Sequence, residues 1–120
     1  MPYFYDTYAI IEVIRGNSNY DQYLDDEIIT SNLNLGELFY SIIREHNEEK
    51  AEKWMEILKE HAFEVDSETI IDAMKFKFKY RKTNFSYIDC IGYIMAKKHG
   101  IKFLTGDKEF EKIDNVEFVK

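Results

Sequence analysis

Short apolar segments alternate along this chain with longer stretches of helical periodicity, and no other feature constrains the fold as much. Tyr3–Tyr5, Glu27–Thr30, Ala62–Val65, Ile101–Thr105 and Val116–Val119 read as strands. Between them, Thr7–Arg15 carries Ala9, Ile10, Val13 and Ile14 at helical spacing, with Gly16-Asn17 as the stop. Leu35–Arg44 places Leu35, Leu38, Phe39, Ile42 and Ile43 on one face, and Glu48–His61 does the same with Ala51, Trp54, Met55 and Leu58. Ser67 reads as the cap of another helix, with Ile70, Ile71, Met74 and Phe78 as its buried face. The Lys-Phe alternation from Lys75 to Tyr80 has the period of a strand, but it continues that capped pattern and is read as helix. Ser86 opens a helix to His99 that Gly100 closes, and Lys108–Lys112 is a short one. Strands separated by helices predict an α/β fold of three layers, a five-stranded parallel sheet with helices on both faces.

The 120 residues suit one domain, 1–120, with 45% hydrophobic residues to fill its core. Cys90 is the sole cysteine, so no internal disulfide is possible, and the three histidines offer no zinc-finger spacing. The first residues lack the basic and apolar segments of a signal peptide, and no apolar run approaches the roughly 18 residues that span a membrane. The expected location is therefore the cytoplasm, with no membrane partner.

Parallel α/β sheets bind ligands beyond the carboxyl ends of their strands, where strand order reverses. Asp6 and Asp107 each stand just past a predicted strand end. Glu37 and Asp89 each lie in the first turn of a predicted helix, three residues after Asn34 and Ser86. That spacing is also the spacing of a capping box, and Asp6 and Asp107 have an equally ordinary reading as turn or cap residues. The functional reading rests on coincidence: four carboxylates at element ends on one predicted rim. Oxygen-only donors suit hard Mg²⁺ or Mn²⁺. Such ions activate water and stabilise a leaving oxygen in phosphodiester cleavage.

Four blocks carry a resemblance: Asp6-Thr-Tyr-Ala-Ile-Ile, Asn34-Leu-Gly-Glu-Leu-Phe-Tyr, Ser86-Tyr-Ile-Asp-Cys-Ile-Gly and Phe103-Leu-Thr-Gly-Asp-Lys-Glu-Phe. In order and spacing they resemble the motifs of the PIN domain, and among its members the VapC-type toxins of prokaryotic toxin–antitoxin pairs. The resemblance implies a Mg²⁺- or Mn²⁺-dependent ribonuclease whose acidic residues map onto Asp6, Glu37, Asp89 and Asp107. Asp6, Asp89 and Asp107 are then metal ligands, direct or through water, and Glu37 holds metal or orients the attacking water. Thr105 maps onto the strand-end Thr that positions a carboxylate or water. A further acidic residue has two candidates, Glu109 and Glu111, which leaves one or two metal ions open. An RNA substrate, an antitoxin protein covering the acidic pocket and a homodimer are the implied partners.

The net charge of −7 opposes a nucleic-acid partner, but local field outweighs the sum. Lys75, Lys77, Lys79, Arg81 and Lys82 cluster among Phe76, Phe78 and Tyr80, with Lys97 and Lys98 following. This tract reads either as an RNA guide, with phosphates on its cations and a base on an aromatic, or as a solvated helix face. His46, His61 and His99 fall near predicted helix ends and read as structural. Cys90 reads as a packed small hydrophobe, and Trp54 as core or interface. Beside the toxin stand a housekeeping RNA-processing nuclease on the same fold and a non-catalytic α/β binding module such as a phosphoacceptor receiver. A receiver needs an acidic pair after its first strand and a Lys after a late one, and neither is in place.

Overall fold

A computed structural model describes residues 2–120. Among them five strands form one sheet: β1 (Tyr3–Tyr5), β2 (Ile28–Ser31), β3 (Ala62–Phe63), β4 (Lys102–Thr105) and β5 (Val116–Phe118). All pairings are parallel and the order is β3-β2-β1-β4-β5. Helices α1 (Thr7–Ile14), α2 (Asn32–Glu45), α3 (Glu48–Leu58), α4 (Ser67–Lys79) and α5 (Tyr87–Lys98) make the connections. The expected α/β architecture is therefore the observed one. Successive strands run outward from β1 on one side, then cross back to β4 on its other side. The order reverses between β1 and β4.

Period-two alternation in the central strands builds the two halves of the core. Phe4 and Phe103 face one side, packing with Phe85, Cys90, Tyr93 and Phe110. Tyr5 and Leu104 face the other, with Ile10, Leu35, Leu38 and Leu58. Each such side chain contributes about 1.5–3 kcal/mol on burial. Gly92 lets α5 lie close on this sheet, since a Cβ there would stand 2.9 Å from the Phe4 ring.

Several elements depart from the sequence expectation. Ser18–Asp25 forms a 3₁₀ helix that no periodicity announced, and Tyr20 and Tyr23, three residues apart, anchor it in the core. The α2 cap is Ser31, whose hydroxyl accepts the Asn34 N–H, so Asn34 is inside the helix rather than its cap. Asn34 is buried and donates its amide to Thr7 Oγ1 at 3.1 Å, tying α2 to α1. Asp66 rather than Ser67 caps α4. The Lys-Phe alternation is helical as expected, but of the expected buried face of α4 only Met74 packs against the core. Ile70, Ile71 and Phe78 are exposed, whereas Thr69 and Ala73 are buried and Met74 and Phe76 pack against the core. The predicted helix over Lys108–Lys112 is a 3₁₀ turn, Lys108–Phe110.

Candidate active site

Asp6 follows β1 directly and Asp107 follows β4 by two residues, so both stand at the reversal point between these neighbouring strands. Asp89 lies in the first turn of α5, and Glu37 in the second turn of α2. All four line one open pocket of about 650 Å³, together with Thr7, Tyr8, Tyr40, Ser41, Arg44, Lys108 and Lys120. Chain segments far apart in sequence thus deliver their carboxylates to one place.

The caps and the pocket are not alternatives. Asp6 is the N-cap of α1: its Oδ1 accepts the Ala9 N–H at 2.8 Å, and its Oδ2 accepts the Thr105 hydroxyl at 2.6 Å. Thr105 Oγ1 also accepts the Asp107 N–H at 3.0 Å, so one buried hydroxyl fixes both strand-end segments. Asp107 caps the following 3₁₀ turn through Oδ1, which accepts the Glu109 N–H. Asp89 completes a capping box with Ser86, its Oδ2 accepting the Ser86 N–H at 2.9 Å. Each of these last two carboxylates caps with one oxygen and leaves the other without a hydrogen bond among the described residues. Glu37, with Ser31 and not Asn34 as the helix cap, is in no capping box, and neither of its oxygens has a hydrogen bond among the described residues.

The electrostatics register this convergence. Burial pushes the Asp6 carboxyl up to about 8; the Thr105 and Ala9 hydrogen bonds oppose the rise, and Asp89 and Asp107 add to it. Asp89 is also raised, by burial first, against the Ser86 N–H, with Asp107 and Glu37 repelling its charge. The donor set is oxygen only and retains unengaged oxygens, which fits a hard cation in kind. Among the described residues no three His, Cys, Asp or Glu side chains stand close enough to enclose an ion as direct ligands.

Glu109 and Glu111 both fall outside the pocket lining. So does the tract Lys75, Lys77, Lys79, Arg81 and Lys82. Lys77 Nζ donates to the Phe85 carbonyl at 2.7 Å and sits over the Tyr87 ring, while Arg81 lies over Phe78 and bonds its carbonyl. Cys90 is buried, with its thiol pushed up to about 11 by burial, which suits packing and not nucleophilic chemistry. His99 Nδ1 lies 2.8 Å from the Met95 carbonyl at the end of α5, as a structural histidine would. Tyr40 and Arg44 escaped attention in the sequence. Their signal was helical spacing from Glu37, at i+3 and i+7.

Gly106, between Thr105 and Asp107, is packed so closely that a Cβ would overlap the Tyr8 ring and the Val119 carbonyl oxygen. The ring can turn, but the backbone oxygen belongs to the segment after β5 and cannot yield cheaply. Gly106→Ala is expected to lower stability by about 1–3 kcal/mol, the range for overpacking. Gly36→Ala, in α2 with open space around it, should instead add about 0.5–1 kcal/mol. Urea titration of both variants tests this; equal midpoints would show that the Gly106 corner relaxes freely.

The model of the PIN domain family matches residues 3–116. No curated protein sequence matches the chain significantly. The fold is similar to that of the VapC20 toxin of Mycobacterium tuberculosis, described as cleaving the sarcin–ricin loop. The TM-score is 0.80 at 18% identity, over 97% of this chain and 95% of that one. It is also similar to a chain of a toxin–antitoxin complex from Klebsiella pneumoniae, with TM-score 0.76 and 18% identity over 96% and 95% of the two chains. A chain of DNA-bound VapBC from Salmonella typhimurium gives 0.75 and 18% over 99% and 98%. A sheet of this order, helices on both faces and a family match over nearly the whole length lead to one conclusion: the chain belongs to the PIN domain family.

Proposed function

We propose that this chain is a metal-dependent endoribonuclease, acting as one domain and serving as the toxin of a toxin–antitoxin pair. The observation that carries the proposal is the arrival of Asp6, Glu37, Asp89 and Asp107 from four separate segments in one pocket at the β1–β4 reversal. Asp6, Asp89 and Asp107 would hold Mg²⁺ or Mn²⁺, partly through water, and the bound ion would supply an activated water and charge stabilisation on the leaving oxygen. Thr105 keeps Asp6 and the Asp107 backbone in register through its two hydrogen bonds. Glu37, unengaged and at the pocket wall, orients the attacking water and accepts its proton.

The toxin reading, in preference to a housekeeping nuclease, is supported by the structural neighbours, which are toxins or parts of toxin–antitoxin complexes. By the same token we propose a protein antitoxin that covers the acidic pocket, a homodimer as the free state and the cytoplasm as the location. Among the described residues no helix is long and apolar enough to cross a membrane.

Purified protein is expected to cleave a single-stranded RNA oligonucleotide in Mn²⁺ or Mg²⁺ and to stop in EDTA. Mn²⁺ at about 100 times its dissociation constant should also stabilise the fold by about 2.7 kcal/mol. Undiminished cleavage in EDTA, with no Mn²⁺-dependent melting shift, would remove the metal from the proposal.

A further inference from the structure

The acid cluster poses a problem for any polyanionic substrate: its carboxylates repel the phosphates that must reach them. The compensating charge is in the same pocket. Arg44, Lys108 and Lys120 line it. Lys120 is engaged, with Nζ 3.4 Å from the Gly106 carbonyl and over the Tyr8 ring. Arg44 makes no ion pair among the described residues, and the adjacent Glu45 pairs with Arg15 at 3.3 Å. Its guanidinium rests over the Tyr40 ring, 5.5 Å from the centroid.

Tyr40 is 64% exposed, as Tyr87 also is, but of the two only Tyr40 lines the pocket. Glu37, Tyr40, Ser41 and Arg44 are spaced as one stripe of α2, and all four face the pocket. The stripe therefore runs from a carboxylate through an open aromatic to a cation with no ion pair among the described residues. Seven residues separate Glu37 from Arg44, about 10 Å along the helix. Arg44 thus enters the pocket at the far end of the stripe from Glu37, on the side where a neighbouring phosphate of the strand would lie. A guanidinium laid on one ring face leaves the other face open and its N–H donors free at the edge.

We propose that Tyr40 and Arg44 form a nucleotide subsite beside the acid cluster, in which Arg44 pairs with a phosphate flanking the one at the carboxylates and Tyr40 stacks on an adjacent base of single-stranded RNA. The subsite rests on the ribonuclease reading for its ligand, but it is read by binding and not by cleavage. Stacking on an aromatic accepts any base, so the subsite positions the strand without selecting sequence. It lies within the pocket lining, which the Lys75–Lys82 tract does not.

The test is fluorescence anisotropy of a labelled single-stranded RNA oligonucleotide with the full chain in EDTA, over a range of salt concentrations. Arg44→Ala should weaken binding and lower the slope of log K against log salt by about 0.7, the value for one lost phosphate contact on a single strand. Arg44→Lys should keep the slope. Tyr40→Ala should weaken binding about 5- to 150-fold at unchanged slope, and Tyr40→Phe should bind like wild type. Lys53→Ala, an exposed cation outside the pocket, controls for net charge and should leave the slope alone. The subsite is overturned by any of three results: equal slopes for Arg44→Ala and Lys53→Ala, wild-type affinity in Tyr40→Ala, or no RNA binding by wild type at low salt. Cleavage in Mn²⁺ is scored separately. Binding that depends on Tyr40 and Arg44 without cleavage removes the nuclease reading and keeps the subsite; cleavage without that dependence does the reverse.

Discussion

Asp89→Asn is expected to lower ribonuclease turnover by more than about 100-fold while leaving the fold nearly as stable as wild type. Asp89 has two occupations on two different oxygens. Oδ2 accepts the Ser86 N–H and closes the capping box, while Oδ1 has no hydrogen bond among the described residues. Asn can keep the first role, because its carbonyl oxygen accepts the same N–H and Asn is a good residue near a helix start. It cannot keep the second, because an amide carries no charge for a cation. Groups that merely orient a metal ligand contribute about 10- to 100-fold, so loss of a ligand should exceed that range. The measurement is single-turnover cleavage in Mn²⁺ beside a thermal melt. Near-wild-type turnover would reduce Asp89 to a cap, and a large fall in melting temperature would leave the turnover loss to misfolding.

This double use explains why the shared pocket of the four carboxylates was legible in the sequence while its caps were not all assigned. A carboxylate at a strand end or in a first turn satisfies N–H groups and faces the reversal point at once, so both readings of Asp6, Asp89 and Asp107 describe the same geometry. Ser31 and Asn34 show where the signal runs out. Both are good caps by type, three residues apart, and only the Asn34 contact with Thr7 Oγ1 across α1 decides between them. In α4 the periodicity was right, but of the four residues expected on the buried face only Met74 meets the core. Ile70, Ile71 and Phe78 form a regular apolar stripe, but hydrophobic spacing does not say whether a stripe meets the sheet or solvent. Phe76, from the Lys-Phe alternation, is the residue that stacks on Phe85 and Tyr93 instead. The 3₁₀ segment Ser18–Asp25 carries three apolar side chains, Tyr20, Tyr23 and Leu24, in a run too short and polar to set it apart from a loop.

Asp6→Asn is expected to reverse the usual pH dependence of a carboxylate, and the sign follows from the raised position of its titration. In the unfolded chain Asp6 loses its proton near pH ~4. In the metal-free fold burial holds it to about 8. Between these values the native state keeps a proton that the unfolded state has released. Stability therefore falls as pH rises through this window, at up to about 1.4 kcal/mol per pH unit, and is level again above it. Below about pH 4 both states are protonated and the penalty is absent. The asparagine side chain of the variant has no proton to lose. Its carbonyl can still accept the Ala9 N–H, and its amide meets a Thr105 oxygen that already accepts the Asp107 N–H. The variant can thus start level with wild type or below it at about pH 4, and the readout is the gap between the two. That gap should move in the variant's favour as pH climbs to about 8 and then stop. Groups that do not interact with Asp6 cancel in that difference, while Asp89 and Asp107, which repel its charge, contribute to it. Mn²⁺ should close much of the gap at neutral pH, since a cation favours the ionised carboxylate and stabilises only the wild-type site in full. Urea titrations of both proteins in EDTA at half-unit pH steps, repeated with Mn²⁺ at neutral pH, provide the measurement. Parallel stability curves across the window would mean that Asp6 is ionised in the fold, and an equal Mn²⁺ response in both proteins would place the cation away from it.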